Sequence, residues 1–516
     1  MAVTSIFNDV IGPVMRGPSS SHSAAACRIG LIIRDLMLGD IQSLSVDYDP
    51  NGSLVTTHQS QGTDMGLYGG VMGWQADDPR MIDYKEHLAK SGINVHVNYL
   101  SYGATHPNQY RFNLSNSTCS HTMTAISTGG GMMKITEIDG AKVSFCGDYY
   151  ELLIYSSNGR SVLNELPFAP GHEVSEHPAF VHIRSHRAFD SALLATLNKS
   201  EETTKVALLK PVLPVLSQPE QRVPFQTCKD MMTKGEKENL QLWELATAYE
   251  SQRGGISADE VFKKMNAIQG IMRNGVKEGL KGKEFEDRIL PVQSVNFQDK
   301  MIDKALLDGG MLNRIILYTT AMMEVKSGME VFVAAPTAGS CGTLPGTILG
   351  AADHLGSSEK EVNRALLASG MMGVFIAEHA TFAAEVAGCQ AETGAGGAMA
   401  AAGLVTLMNG SLEQATAAAS LALQNSLGII CDPIGNRVEA PCLGKNVMAA
   451  SNALSCANMA LANYEHLIPF DEVVQSMKEV GDLMAHELTC TGLGGLAATP
   501  TGQSIKNKLE QKATYC

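Results

Sequence analysis

Residues 385–410 read EVAGCQAETGAGGAMAAAGLVTLMNG. No charge follows Glu392 until Glu413, and none separates Glu413 from Asp432. Gly, Thr and Asn interrupt the apolar residues, and no run of 18 purely apolar residues occurs, so a membrane span is not expected. The pattern predicts buried helices in close contact, since small side chains let helix axes approach. Helical periodicity extends both ways, at Leu240–Glu250, Ala258–Glu278, Lys300–Lys326, Lys360–Glu378, Leu412–Leu427, Lys445–Tyr464 and Asp471–Glu487. Ser358 with Glu361, and Ser411 with Gln414, have capping-box spacing ahead of apolar runs.

Upstream the pattern is mixed. Ser43–Tyr48, Ile93–Leu100 and two segments within Lys142–Ser156 alternate in part, as strands do, whereas Ala24–Leu38 reads as a helix. The Pro-containing stretch Pro211–Gln226 is the best linker candidate. The expected architecture is an α+β domain over residues 1–222, followed by an all-α catalytic domain over residues 223–516. The length of 516 residues suits two large domains or about three of average size.

Apolar residues make up 44% and charged residues 18%, which excludes a disordered or fibrous chain. Lys and Arg number 39 against 53 Asp and Glu, a net charge of −14. No basic run occurs, so neither nucleic acid nor anionic lipid is an expected partner. The start, MAVTSIFNDVIGP, lacks the basic and apolar regions of a secretory signal, and a cytoplasmic location is expected. Eleven scattered cysteines fit free thiols in a reducing compartment better than a disulfide framework.

Seven of the 11 cysteines lie in the last 176 residues. Cys389, Cys431 and Cys442 stand beside Gly, Pro or acidic residues, with the spacing C-x41-C-x10-C. No C-x-x-C pair among them supports a zinc ribbon. Three thiolates suit an iron–sulfur cluster that leaves one iron open as a Lewis acid. Buried structural cysteines are the alternative, and the spacing alone leaves both open. In GPSSSH, Ser19, Ser20, Ser21 and His22 form a turn-prone run suited either to binding a carboxylate or to capping the helix that follows. A rival reading takes Ser127–Gly131 (STGGG) as a phosphate cradle and Lys445 as a Schiff-base lysine for pyridoxal phosphate, on a weak signal.

Five stretches taken together are specific. GPSSSHSAAACRIG (residues 17–30), AAPTAGSCGTLPG (334–346), EVAGCQAETGAGGAMAAAGL (385–404), CDPIGNRVEAPCLGKN (431–446) and TGLGGLAATPTG (491–502) resemble the single-chain iron–sulfur-dependent L-serine dehydratases, or L-serine ammonia-lyases. The resemblance covers nearly all of residues 223–516 and scattered motifs of 1–155, and little of 157–222. It implies a [4Fe–4S] cluster on Cys389, Cys431 and Cys442. The open iron would bind the hydroxyl and carboxylate of L-serine, and the products would be pyruvate and ammonia.

The resemblance also implies a role for the terminal Cys516 as a further metal ligand, and places Cys341 near the site rather than on it. It implies substrate binding by Ser19, Ser20, Ser21 and Asn108, and catalytic roles for His22, His106 and Ser127. His titrates near neutral pH and so suits proton transfer. Gly129–Gly131 would bring Ser127 to the site. The first domain resembles an allosteric substrate-binding domain, and a homodimer acting on a small amino acid is implied. Three positions depart from the family pattern. Gln61 in QSQGTD stands where His is expected, Ala338 where Asn is usual, and PNQY follows His106. These departures bear on substrate choice, and L-cysteine or another β-substituted amino acid is the alternative substrate. A binding protein that has lost turnover is a further alternative, disfavoured by the intact cysteines.

Overall fold

A computed structural model describes residues 3–156, 172–200, 203–218, 223–285 and 288–514, with no account of the side chains of 512–514. It has an N-terminal region of mixed helices and sheets followed by an all-helical region. Two compact units divide the chain: one comprises Ser21–Gln221, the other Val3–Ser20 with Arg222–Cys516.

In the first unit, helix α1 (Ala25–Leu36) and helix α2 (Thr63–Val71) pack on a six-stranded sheet. Its strands are β1 (Ser43–Tyr48), β2 (Asn94–Tyr99), β3 (Gln109–Ser115), β4 (Ser120–Gly129), β5 (Met132–Ile138) and β6 (Ala141–Phe145), in the order β2-β1-β3-β4-β5-β6. β1 and β2 run parallel and the other neighbours antiparallel. Every second residue of β3 and β4 is buried, as the two-residue pleat requires. Ser127 shares the buried face of β4 with Met123 and Ala125, so a hydroxyl enters the core there. The helix crossing depends on glycine. A Cβ on Gly66 would lie 1.9 Å from the Ser23 carbonyl oxygen, and one on Gly30 2.3 Å from that of Leu67. A smaller antiparallel sheet orders β10 (Thr203–Leu209), β7 (Tyr150–Ser156), β9 (Phe180–Ser185) and β8 (Glu173–Glu176).

The helical unit is built around a core helix, Thr393–Leu407, whose residues are all buried except Thr406. It packs against Thr343–Leu355, Glu359–His379, Leu412–Gln424 and Cys442–Leu461. Such a helix, apolar on all sides, belongs in the middle of a bundle. Close contact again requires glycine: a Cβ on Gly403 would lie 2.3 Å from the Ser369 hydroxyl. Both capping boxes form, with Ser358 and Glu361 bonding reciprocally, and Ser411 and Gln414 likewise. Among the described residues no single helix is long and apolar enough to cross a membrane.

Two expectations need correction. The stretch Lys300–Lys326 is not one helix, because Ser294–Ile302 ends before Asp308-Gly309-Gly310 and a new helix runs over Met311–Ser327. Gly310 adopts φ +47°, outside the helical region. The first residues, assigned above to the α+β domain, belong to the helical unit. The Ser5 hydroxyl and the Ile6 N–H donate to the buried Glu250 carboxylate at 2.6 and 2.8 Å. Tyr249 and Arg253 donate to the carbonyls of Thr4 and Val3. Ile6 and Val10 fill the space left by Gly370 and Gly373 of Glu359–His379. Apolar contact and a buried carboxylate thus outweigh proximity in sequence.

Candidate functional site

Three segments of the helical unit bring thiols together. Cys389 lies in a tight turn, Gly388–Gln390, directly before the core helix. Gly388 has φ +67°, and a Cβ there would meet the Ile429 carbonyl oxygen at 2.7 Å. The buried Gln390 fixes this turn: its N–H donates to Ile429 O at 3.1 Å, its amide oxygen accepts from Gly428 N at 3.0 Å, and its amide nitrogen donates to Met477 O at 3.0 Å. Cys431 follows the same 428–430 segment, which leaves a turn at Gly428 (φ +81°). Its N–H donates to Leu488 O at 2.8 Å, and its carbonyl accepts from Cys490 N at 3.0 Å. Cys442 opens the helix Cys442–Leu461, one turn before Asn446. The buried Asn446 amide nitrogen donates to the carbonyls of Cys442 and Gly339, and its oxygen accepts from Thr343.

Ligand atoms of Cys389, Glu392 and Cys431 lie within 4.8 Å of one another. The Cys431 sulfur is also within hydrogen-bond reach of Cys490. Hydrogen bonds with Cys389 and Cys490, then burial, hold the Cys431 thiol well above its usual acidity range. Burial and the neighbouring Cys389 do the same for Cys442. Cys389, Cys431 and Glu392 form a buried donor set of a kind that could hold a metal ion.

Charge around the thiols is organised. Thr337 donates to Glu392 at 2.6 Å, and burial pushes the Glu392 carboxyl up to about 7. Gly339 leaves room for that carboxyl, since a Cβ there would lie 2.6 Å from Oε2. Lys445 reaches Asp432 at 2.5 Å, Ile430 O at 2.7 Å and the Cys389 sulfur at 4.0 Å. Burial opposes its charge, but Cys389 and Asp432 outweigh burial, so Lys445 is held as an ammonium. That engagement leaves it poorly placed as a Schiff-base nucleophile.

The 337–343 turn carries two more of the predicted positions. Ser20 accepts from the backbone N–H of Ala338 at 3.3 Å. Cys341 is buried in the turn, 3.9 Å from the Met323 sulfur, and burial pushes it up to about 12. Ser19 is also buried in this unit. Cys516 lies outside the described residues.

Other predicted residues meet in the first unit. Ser127 Oγ donates to the Ser21 carbonyl at 2.7 Å, and its N–H donates to Asn108 O at 3.0 Å. The His22 ring bonds Thr57 Oγ1 through Nε2 at 2.9 Å and Ser21 Oγ through Nδ1 at 3.2 Å. Asn108 accepts from Ser53 through its side chain and donates through its backbone to His106 Nδ1 at 3.1 Å. Gly129, Gly130 and Gly131 all have positive φ and make the β4–β5 turn, which explains their clustering without a phosphate. The capping role considered for the Ser run is absent, because Ala24 precedes α1 with no side-chain cap.

A family model described as serine dehydratase alpha chain matches residues 237–497. The chain belongs to this family. It is 33% identical over 285 residues to a probable L-serine dehydratase alpha chain of Bacillus subtilis, covering 55% of this chain and 95% of that one. It is 35% identical over 295 residues to the L-serine dehydratase alpha chain of Peptoniphilus asaccharolyticus, covering 55% and 97%. It is 27% identical over 494 residues to L-serine dehydratase 2 of Escherichia coli, covering 93% and 96%. As a serine dehydratase family member the protein is a lyase.

Sequence reading missed three parts of the candidate site. Glu392 was within a quoted motif, but only its contact with Thr337 and the two cysteines singles it out. Asp432 and Lys445 are 13 residues apart, and only the fold pairs them. Cys490 stands one residue before TGLGGLAATPTG, and no spacing to another cysteine marks it.

Proposed function

We propose that the protein dehydrates and deaminates L-serine to pyruvate and ammonia at a [4Fe–4S] cluster held by Cys389, Cys431 and Cys442. The observation that carries this reading is the meeting of two buried thiols, Cys389 and Cys431, with the Glu392 carboxyl, beside the Lys445 ammonium 4.0 Å from the Cys389 sulfur. The donor set fits the group, because soft thiolates are the ligands such clusters take. When bound, the cluster supplies an open iron that makes the serine hydroxyl a better leaving group.

The chain's own groups do the remaining work. Gln390 and Asn446 hold two thiol-bearing turns in place through bonds to backbone. Lys445 offsets the negative charge that deprotonated thiols bring into a buried site. Glu392 offers a carboxyl oriented by Thr337 next to Cys389 and Cys431. His22, with both ring nitrogens engaged, and His106 are the proton carriers proposed from the first unit, with Ser21, Ser127 and Asn108 as polar groups of the same patch.

The direct test is Cys431→Ser, purified without oxygen. Loss of iron together with pyruvate formation is expected. Full activity in an iron-free Cys431→Ser protein would overturn the reading. Gln61, a buried departure from the pattern that the resemblance implies, favours one second reading, an L-cysteine or other β-substituted amino-acid substrate. Sulfide release from L-cysteine exceeding pyruvate release from L-serine would select it.

A further inference from the structure

The first unit holds a thiol and an amine side by side that the proposed reaction does not use. Cys119 sits in the turn ahead of β4. There Asn116 Oδ1 accepts from its N–H at 2.9 Å and from its thiol at 3.4 Å, and its carbonyl accepts from Asn116 N at 3.0 Å. The Cys119 sulfur lies 3.9 Å from Lys205 Nζ, which arrives on β10 of the smaller sheet. Cys119 is half-buried, whereas Cys27 and Cys228 are buried. A partly exposed thiol beside a cation is the setting in which cysteines react.

Lys205 is placed to give up a proton. Its Nζ lies 2.6 Å from His121 Nε2 and donates at 2.6 Å to the carbonyl of Leu36, the last residue of α1. His121 Nδ1 faces Asp139 Oδ2 at 2.7 Å, and Asp139 also accepts from Tyr155 OH at 2.7 Å and from Thr122 N at 2.8 Å. An ionised carboxylate only accepts, so it takes the Nδ1–H and leaves Nε2 as the acceptor that faces Lys205. Burial favours the neutral amine of Lys205. Thiol, amine and base are thus successive neighbours, contributed by the two sheets.

We propose that Cys119 and Lys205 form a modification site at which hydrogen peroxide joins them through a sulfur–nitrogen bond. The Cys119 thiolate attacks a peroxide oxygen, the O–O bond breaks, and hydroxide leaves behind a sulfenic acid. His121 Nε2 takes a proton from Lys205, whose flexible stem lets the freed amine reach the sulfur. The S–N bond forms, the S–O bond breaks, and the hydroxyl departs as water with the proton that His121 held. The remaining ammonium proton neutralises the first hydroxide. The sulfur is oxidised by two electrons and the peroxide is reduced to two waters. Two equivalents of a thiol reverse the link, restoring Cys119 and Lys205 and leaving a disulfide of the reductant. While it lasts, the link ties the six-stranded sheet covalently to the smaller one.

The test treats the full-length protein, purified without oxygen, with graded hydrogen peroxide. The protein is then denatured, its remaining thiols are alkylated with iodoacetamide, and its peptides are analysed by mass spectrometry. The expected product is the Cys119 peptide joined to the Lys205 peptide, two hydrogens lighter than the separate pair. It should be lost on treatment with dithiothreitol and absent from Lys205→Met, where Cys119 should stop at a sulfenic acid that dimedone traps. Cys119 recovered wholly as the free thiol, or oxidised with Lys205 unlinked, would overturn the proposal. If Lys205→Met does not fold, the wild-type peptides alone decide. The readout involves neither iron nor pyruvate, so this inference and the cluster reading stand or fall separately.

Discussion

Asp432 and Lys445 form a buried ion pair beside the thiol site, and its removal has a calculable cost. The carboxylate side chain is 3% exposed and the ammonium 16%, with 2.5 Å between the charged atoms. A solvent-exposed pair would contribute about 0–1 kcal/mol. Breaking a buried pair by removing one partner costs about 3–5 kcal/mol, because the other charge is left uncompensated. Asp432→Asn keeps the shape, and its amide oxygen can still accept from Leu496 N. With that oxygen on Leu496 N, the amide NH2 faces Lys445 Nζ, so the loss reports the carboxylate's charge together with its lost acceptor oxygen. Lys445→Met, which keeps much of the stem, should cost a similar amount by stranding Asp432. The double variant leaves no unpaired charge, so it should fall short of the sum of the singles by at least about 1 kcal/mol. Urea unfolding of the metal-free full-length protein, followed by helical circular dichroism, measures all four states. An Asp432→Asn loss below about 1 kcal/mol, or strict additivity, would refute the claim that this pair is buried and coupled.

Two further outcomes follow from the geometry. Glu392 titrates near 7 in the folded chain against an ordinary value of 4.5. Between those values the native state holds more protons than the unfolded state, so stability of the metal-free protein falls as pH rises through the window. The loss is up to about 3 kcal/mol, and Glu392→Gln should abolish it in denaturation midpoints compared at about pH 5 and about pH 8. Equal pH dependence in both proteins would contradict that assignment. Gly346→Ala places a Cβ 2.3 Å from Thr319 Oγ1 and 2.5 Å from Thr319 N, both on the adjoining helix Met311–Ser327. The clash, about 1–3 kcal/mol, should exceed the gain of about 1 kcal/mol in helix propensity, and a raised melting temperature would show otherwise.

Much of the helical unit was readable from local pattern. The uncharged run after Glu392 predicted a buried helix, and the two capping boxes fixed helix starts through backbone bonds made within three residues. Less was readable where tertiary contact decides. Strands β3–β5 are hidden in a Ser-, Thr- and Asn-rich stretch, where the buried alternation of Phe112, Leu114, Met123 and Ala125 shows once the sheet pairs them. The helix Pro500–Thr514 has a largely polar sequence, and its contact with the Ile434–Asn436 turn is what places it.

The candidate site divides in the same way. The motif cysteines Cys389, Cys431 and Cys442 were identified from the sequence, and the structure gathers them within one unit. Cys490 and the Asp432–Lys445 pair depend on a parallel bridge and a chain reversal that no residue spacing encodes. The opening segment was misassigned because a buried Glu250 some 245 residues away holds Ser5.

The central claim is that thiols of the helical unit hold an iron–sulfur cluster at which L-serine is dehydrated. It is tested most directly by purifying the protein without oxygen, counting iron and sulfide, and assaying pyruvate from L-serine on the same sample. About four irons and four sulfides per chain, with pyruvate formed and both lost together on exposure to air, is the predicted result. Pyruvate formation by protein that holds no iron, even after reconstitution, would contradict the account.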